Sequence, residues 1–147
     1  MPEAAAPRGY ILAFDFGLRR IGVAVGQTTT GTASSLETVR NGPQPDWQAV
    51  GRLLREWQPG RLLVGLPLGP DGEETEMSRA ARAFGGALHK RFGIEVSFAD
   101  ERLSSQVAER RFAEKRAAGQ LRKKHASRLD AMAAQVILEN WLQSSHA

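Results

Sequence analysis

The alternation of apolar and polar positions cuts the chain into short, recognisable elements. Tyr10-Ile-Leu-Ala-Phe-Asp-Phe16 and Arg20-Ile-Gly-Val-Ala-Val-Gly26 are two runs of strand-forming residues. The compact turn Gly17-Leu18-Arg19 between them predicts a β-hairpin. Thr32 to Val39 predicts a weaker third strand, after the polar turn from Gln27 to Gly31. Trp47, Val50, Leu53, Leu54 and Trp57 then recur at helical spacing behind Asp46, a good N-cap, and Pro59-Gly60 ends that helix. Arg61 to Leu66 reads as a buried strand, Pro67 to Gly72 as a loop of turn formers, and Glu73 to Phe92 as a long helix with acids at its start. Gly93 stops it. Ile94 to Ala99 is a fifth strand, followed by a basic helix capped by Ser104 or Ser105 and a polar stretch over 117–125. Ser127 to Gln143 forms a last helix, with Leu129, Met132, Ala133, Val136 and Ile137 on its buried stripe.

The order β-β-β-α-β-α-β-α-α implies an α/β domain. Its mixed five-stranded sheet has three antiparallel strands and then parallel ones, because helical crossovers connect the later strands, and helices flank it. A chain of 147 residues suits one domain, expected over 10–143, with 1–9 a disordered leader and 144–147 a tail.

Against this pattern three carboxylates fall in unusual places. Asp15 lies inside an apolar strand, on the same face as Ile11 and Ala13. An ionised carboxylate is costly there unless it is paired, hydrogen-bonded or bound to a metal; the structural alternative is an Asp accepting backbone N–H groups in the Gly17 turn. Asp100-Glu101-Arg102 stands at the C-terminal end of the fifth strand, where open α/β sheets usually carry their chemistry. Alternation sends Asp100 and Glu101 to opposite faces, so one of them joins Asp15; Glu101 is the longer and lies beside the basic helix. A helix-start signal is the competing account of this triplet. Asp130 shares a side of the last helix with Ala134 and Ile137, and Ala131, Ala133 and Ala134 let that helix approach the sheet closely. A solvated residue at the edge of the stripe is its alternative.

Composition narrows the chemistry. Hydrophobic residues make up 41% and charged residues 24%, a globular balance. The absence of cysteine excludes disulfides, thiolate zinc sites and a cysteine nucleophile, and the three histidines show no ligand spacing. Hard oxygen ligands therefore point to Mg²⁺ or Mn²⁺, as one or two ions. Two such ions activate water and stabilise the leaving oxygen of a phosphodiester. Charge is uneven as well. Nine of the 20 Lys and Arg side chains fall between Arg102 and Arg128, opposed there only by Glu109 and Glu114. A basic strip of this density suits a polyanionic partner, although a solvated helix face would look the same. Arg122, Lys123 and Lys124, just before the helix that bears Asp130, are placed to neutralise a nucleic-acid backbone. Arg19 and Arg20 in the first turn are candidates for a phosphate. The start of the chain lacks the cationic and apolar regions of a signal peptide, and no apolar run is of spanning length, so a cytoplasmic location and no membrane partner are expected.

Phe14-Asp-Phe-Gly-Leu-Arg-Arg-Ile-Gly-Val-Ala-Val25, Val64-Gly-Leu-Pro-Leu68 with Asp71-Gly72, Asp100-Glu-Arg-Leu-Ser104, and Leu129-Asp130 with Ala133-Ala134 and Ile137-Leu138 resemble the YqgF/RuvX family. The likeness runs from about Tyr10 to Leu142, with four motifs in order. It implies an RNase H-like fold and an acidic triad of Asp15, Glu101 and Asp130 that is both catalytic and metal-binding. Arg102 and Ser105 join Arg19, Arg20, Arg122, Lys123 and Lys124 as expected nucleic-acid contacts. Members are described as nucleases maturing the 5′ end of precursor 16S ribosomal RNA and as Holliday-junction resolvases. The implied partners are thus precursor rRNA, branched DNA and ribosomal particles. Gln27, where many relatives have an acid, and Ser104-Ser105, where many have Ser-Thr, depart from the commoner pattern.

Two other classes remain open from the residues alone. The Asp15-Phe-Gly17 hairpin is also similar to the phosphate loop of the actin and sugar-kinase superfamily, whose members clamp ATP between two such domains. A non-enzymatic RNA- or ribosome-binding module would use the basic strip and leave the acids a structural part.

Overall fold

The computed structural model describes residues 9–102 and 126–144. The elements are β1 (Tyr10–Phe16), β2 (Arg20–Gln27), β3 (Thr32–Arg40), α1 (Trp47–Trp57), β4 (Arg61–Leu66), α2 (Glu76–Phe92), β5 (Val96–Asp100) and α3 (Ala126–Ser144). They form the RNase H-like arrangement: one five-stranded sheet in the order β3-β2-β1-β4-β5. The β1–β2 and β2–β3 pairs are antiparallel, whereas β1–β4 and β4–β5 are parallel, as the helical crossovers require.

Strand periodicity splits the sheet into two unlike faces. On one face Leu12, Phe14, Ile21, Val23, Leu62 and Val64 meet Val50, Leu53 and Leu54 of α1 and Ala81, Phe84 and Leu88 of α2. Trp47 stacks on Phe84 with ring centroids 5.7 Å apart, and Trp57 meets Tyr10 edge-on at 5.0 Å. Both tryptophans are therefore packing residues. The other face carries Ile11, Ala13, Ala24, Leu63 and Ala99 against Ala134, Ile137 and Leu138 of α3. Ala13, Ala24, Ala99 and Ala134 thin this face, so a single helix settles close to the strands.

Some boundaries differ from the sequence pattern. Helix α2 begins at Glu76 rather than Glu73, because Thr75 supplies a reciprocal cap. Its hydroxyl accepts the Ser78 N–H (3.0 Å), and Ser78 Oγ accepts the Thr75 N–H (2.7 Å). Glu73 and Glu74 consequently stand outside the helix. Gly85-Gly86 does not interrupt it; Gly85 is the surface on which Phe98 of β5 rests. Strand β5 starts at Val96 and not at Ile94, since Gly93 caps α2 at φ 70° and the Ile94 carbonyl is held beside His89 Nδ1 at 3.0 Å. The expected basic helix, the stretch 117–125, the leader 1–8 and the end 145–147 lie outside the described residues. Among the described residues no helix is long and apolar enough to cross a membrane.

Candidate active site

Asp15 is the penultimate residue of β1, at the centre of the sheet, and points to the α3 face. Its partner on β2 is Gly22. On the other side, one residue beyond the Phe14–Val64 pair of β1 and β4, lies Gly65. These two glycines clear the space on either flank. A Cβ on Gly22 would overlap the Asp130 carbonyl, so the absence of a side chain lets the backbone of α3 rest on β2 where it presents Asp130. A Cβ on Gly65 would lie 2.6 Å from Glu101 Oε2, so the Glu101 carboxylate occupies the volume that a side chain would have taken. Glu101 itself follows β5, its N–H donating to the Leu66 carbonyl (3.1 Å), and is only 6% exposed.

The three acids thereby interact. Asp15 keeps part of its surface open at the strand's end. Burial of the carboxyl beneath that opening, then the charges of Glu101 and Asp130 and a hydrogen bond shared with Glu101, hold Asp15 well above the usual carboxylate range. Asp100 takes the opposite course, as alternation requires. It leaves this face and pairs with Arg102, whose hydrogen bonds hold the Asp100 carboxyl below its ordinary range despite partial burial. Arg102 also donates to the Pro70 carbonyl (2.9 Å) and so pins the loop between β4 and α2 to the end of β5.

Oxygen-only donors and crowded negative charge are what a divalent cation such as Mg²⁺ or Mn²⁺ relieves, so the chemistry of the trio fits one. As arranged, though, no three His, Cys, Asp or Glu groups among the described residues close on one ion. Asp130 is turned to a different cation: Arg20 Nε donates to its Oδ2 at 2.8 Å.

The family model described as "RuvX: Holliday junction resolvase" matches residues 9–144. The chain belongs to the RuvX family. It is 45% identical over 137 residues to a "putative pre-16S rRNA nuclease" of Edwardsiella ictaluri (strain 93-146), covering 92% of this chain and 96% of that one. A protein of the same description from Dechloromonas aromatica (strain RCB) is 48% identical over 139 residues, covering 94% and 93%. Among solved structures, RuvC of T. thermophilus, in complex with a Holliday junction substrate, superposes with a TM-score of 0.51 at 18% identity. That match covers 93% of this chain and 96% of RuvC, and agrees in fold.

In this RuvX chain Asp15, Glu101 and Asp130 lie on one face at the sheet's rim, as the strand and helix periodicities require. Arg19 and Arg20 are exposed in the neighbouring turn, and Arg102 is committed to Asp100 and Pro70. Ser105, Arg122, Lys123 and Lys124 fall outside the described residues. Reasoning from sequence missed three contributors. Gly22 and Gly65 shape the site by having no side chain, and glycine inside a strand is the signal that marks close approach. Asn41, just after β3, fixes the hairpin turn twice: its side-chain amide donates to the Gly17 carbonyl (2.7 Å) and its N–H to the Arg19 carbonyl (2.9 Å). No sequence pattern distinguishes it from an ordinary turn residue.

Proposed function

We propose that this RuvX protein is a metal-dependent endonuclease that hydrolyses nucleic-acid phosphodiesters, acting in 5′-end maturation of precursor 16S rRNA. The observation that carries the reading is the meeting of Asp15, Glu101 and Asp130 over the Gly22 and Gly65 gaps. The RNA assignment is supported by the descriptions of the two relatives named above, while the family model's own description favours a four-way DNA junction.

Asp15, Glu101 and Asp130 would hold Mg²⁺ or Mn²⁺, which supplies Lewis-acid stabilisation of the phosphorane-like transition state and acidifies water. Asp15 anchors the set from the most rigid place available, the central strand. Glu101, almost fully buried, presents its oxygens from a fixed backbone. Asp130, its side chain 29% exposed, is more open to solvent than Glu101 and would meet an incoming phosphate. Arg19 and Arg20 border the same rim, where a guanidinium offsets backbone charge. Arg102, Ser105, Arg122, Lys123 and Lys124 complete the proposed contacts to nucleic acid, with ribosomal particles as the setting in the cytoplasm.

The test compares the purified protein and Asp15→Asn on precursor 16S rRNA and on a four-way DNA junction, each with Mg²⁺. Cleavage of the RNA by the wild type alone is the expected result. Preferential cutting of the junction moves the function to recombination. Binding without cleavage of either substrate leaves an RNA-binding module instead.

A further inference from the structure

The Arg20–Asp130 pair at the rim is demanded by neither strand order nor packing. Arg20 opens β2, and its backbone is held on both sides. It pairs with Arg40 of β3, and the turn before it is tied down by the two Asn41 hydrogen bonds. Its side chain, by contrast, is 43% exposed and makes its ion pair with a carboxylate that is itself 29% exposed. A fixed root and an open head describe a cation that can change partners without disturbing the fold. Its present partner, Asp130 Oδ2, belongs to the set of oxygens assigned above to the metal.

We propose that Arg20 is the resident counter-ion of the carboxylate trio, which a divalent cation must displace from Asp130 in order to bind. The inference rests on the reading of the trio as a metal site. Asp130 is the acid that the guanidinium reaches, its side chain 29% exposed, whereas Glu101 is only 6% exposed. A singly charged guanidinium offsets part of the repulsion among three carboxylates. A divalent ion offsets more, from a position that all three share. The two cations compete for the same oxygen, Asp130 Oδ2. At fixed pH the outcome depends on ion concentration, so Arg20 raises the metal concentration needed to half-fill the trio.

The experiment is a Mn²⁺ titration of the nucleic-acid-free protein, followed by the paramagnetic signal of free Mn²⁺ and by the rise in melting temperature on binding. Arg20→Ala should bind Mn²⁺ about fivefold more tightly than the wild type, the equilibrium worth of an exposed ion pair. Arg20→Gln, which keeps a polar side chain and drops the charge, should do the same. In an Asp130→Asn background the Arg20 substitutions should leave Mn²⁺ affinity unchanged. Equal or weaker binding by Arg20→Ala and Arg20→Gln, alongside a wild-type site that Asp15→Asn abolishes, overturns the counter-ion and leaves the metal reading intact. A wild type with no Mn²⁺ site sensitive to Asp15→Asn removes the metal reading, and the counter-ion with it.

Discussion

Replacing Gly22 by alanine adds one methyl group, and the structure gives its cost a sign. The new Cβ would overlap the Asp130 carbonyl and lie 2.8 Å from the Ala131 amide nitrogen. These are backbone atoms of a helix, so no rotamer change relieves the contact; α3 must lift from β2. Inserting a methyl into a full interior costs about 1–3 kcal/mol, and the upper end applies where the obstacle is backbone. The more restricted unfolded chain returns about 0.4–1 kcal/mol. The net is a loss of about 2 kcal/mol, or about 4–8 °C in melting temperature for a chain of this size. Gly86→Ala is the matched control. It is the same chemical change at an exposed position inside α2 with nothing within 4 Å, and it should stabilise by about 0.5–1 kcal/mol. Urea unfolding of the three proteins, with equal slopes, measures both. If Gly22→Ala is as stable as the wild type, or if the two substitutions shift the midpoint in the same direction, the close seating of α3 on β2 is wrong.

Other outcomes follow from the same geometry. In chelator, Asp15→Asn should melt higher than the wild type, because the carboxylate it removes is disfavoured by burial and by two like charges. The gap should close on acidification. Asp15 has a raised folded pKa, so between the ordinary carboxylate value and that raised value the folded state holds more protons and its stability falls as pH rises; differential scanning calorimetry across acidic to neutral pH reads this directly. Asp100→Asn should free Arg102 and the Pro70 carbonyl it holds, seen as faster amide exchange in the loop from Pro67 to Gly72. The lowered Asp100 pKa makes this pair a stabilising contact above the ordinary carboxylate range that is lost as pH falls through the folded value, so the difference in exchange should vanish in acid. Asn41→Ala deletes the hydrogen bond to the Gly17 carbonyl and should cost about 1 kcal/mol by urea unfolding.

The fold was legible because periodicity and connection chemistry agreed. Strands β1 and β2 alternate around a short turn, and the helical crossovers α1 and α2 leave β4 and β5 no choice but parallel pairing. The reach of the site was legible for the same reason. A period of two places Asp15 and Glu101 on the face of Ala13 and Ala99, and Asp100 on the other. What escaped was of two kinds. The start of α2 turns on a side-chain exchange between Thr75 and Ser78, and nothing in the apolar spacing distinguishes that cap from one at Glu73. The Arg20–Asp130 bond joins residues 110 positions apart, and periodicity, a local property, says which face each residue occupies without saying whom it meets there.

Gly22 and Gly65 connect stability to chemistry in a way that neither carboxylates nor packing do alone. A central-strand acid is normally walled in by its neighbours' side chains. Here the flanking positions on β2 and β4 carry none, and the vacated volumes are filled by the Asp130 backbone and the Glu101 carboxylate. The result is dense packing that brings negative groups together and raises the Asp15 pKa, a local conflict which folding tolerates because the rest of the α3 face is apolar. On the proposed reading, metal and Arg20 are two answers to one electrostatic problem, the first tied to function and the second to stability without it. A chain that relieved the crowding permanently, by a neutral residue at position 15, would gain stability and lose the only reason for bringing the three acids together.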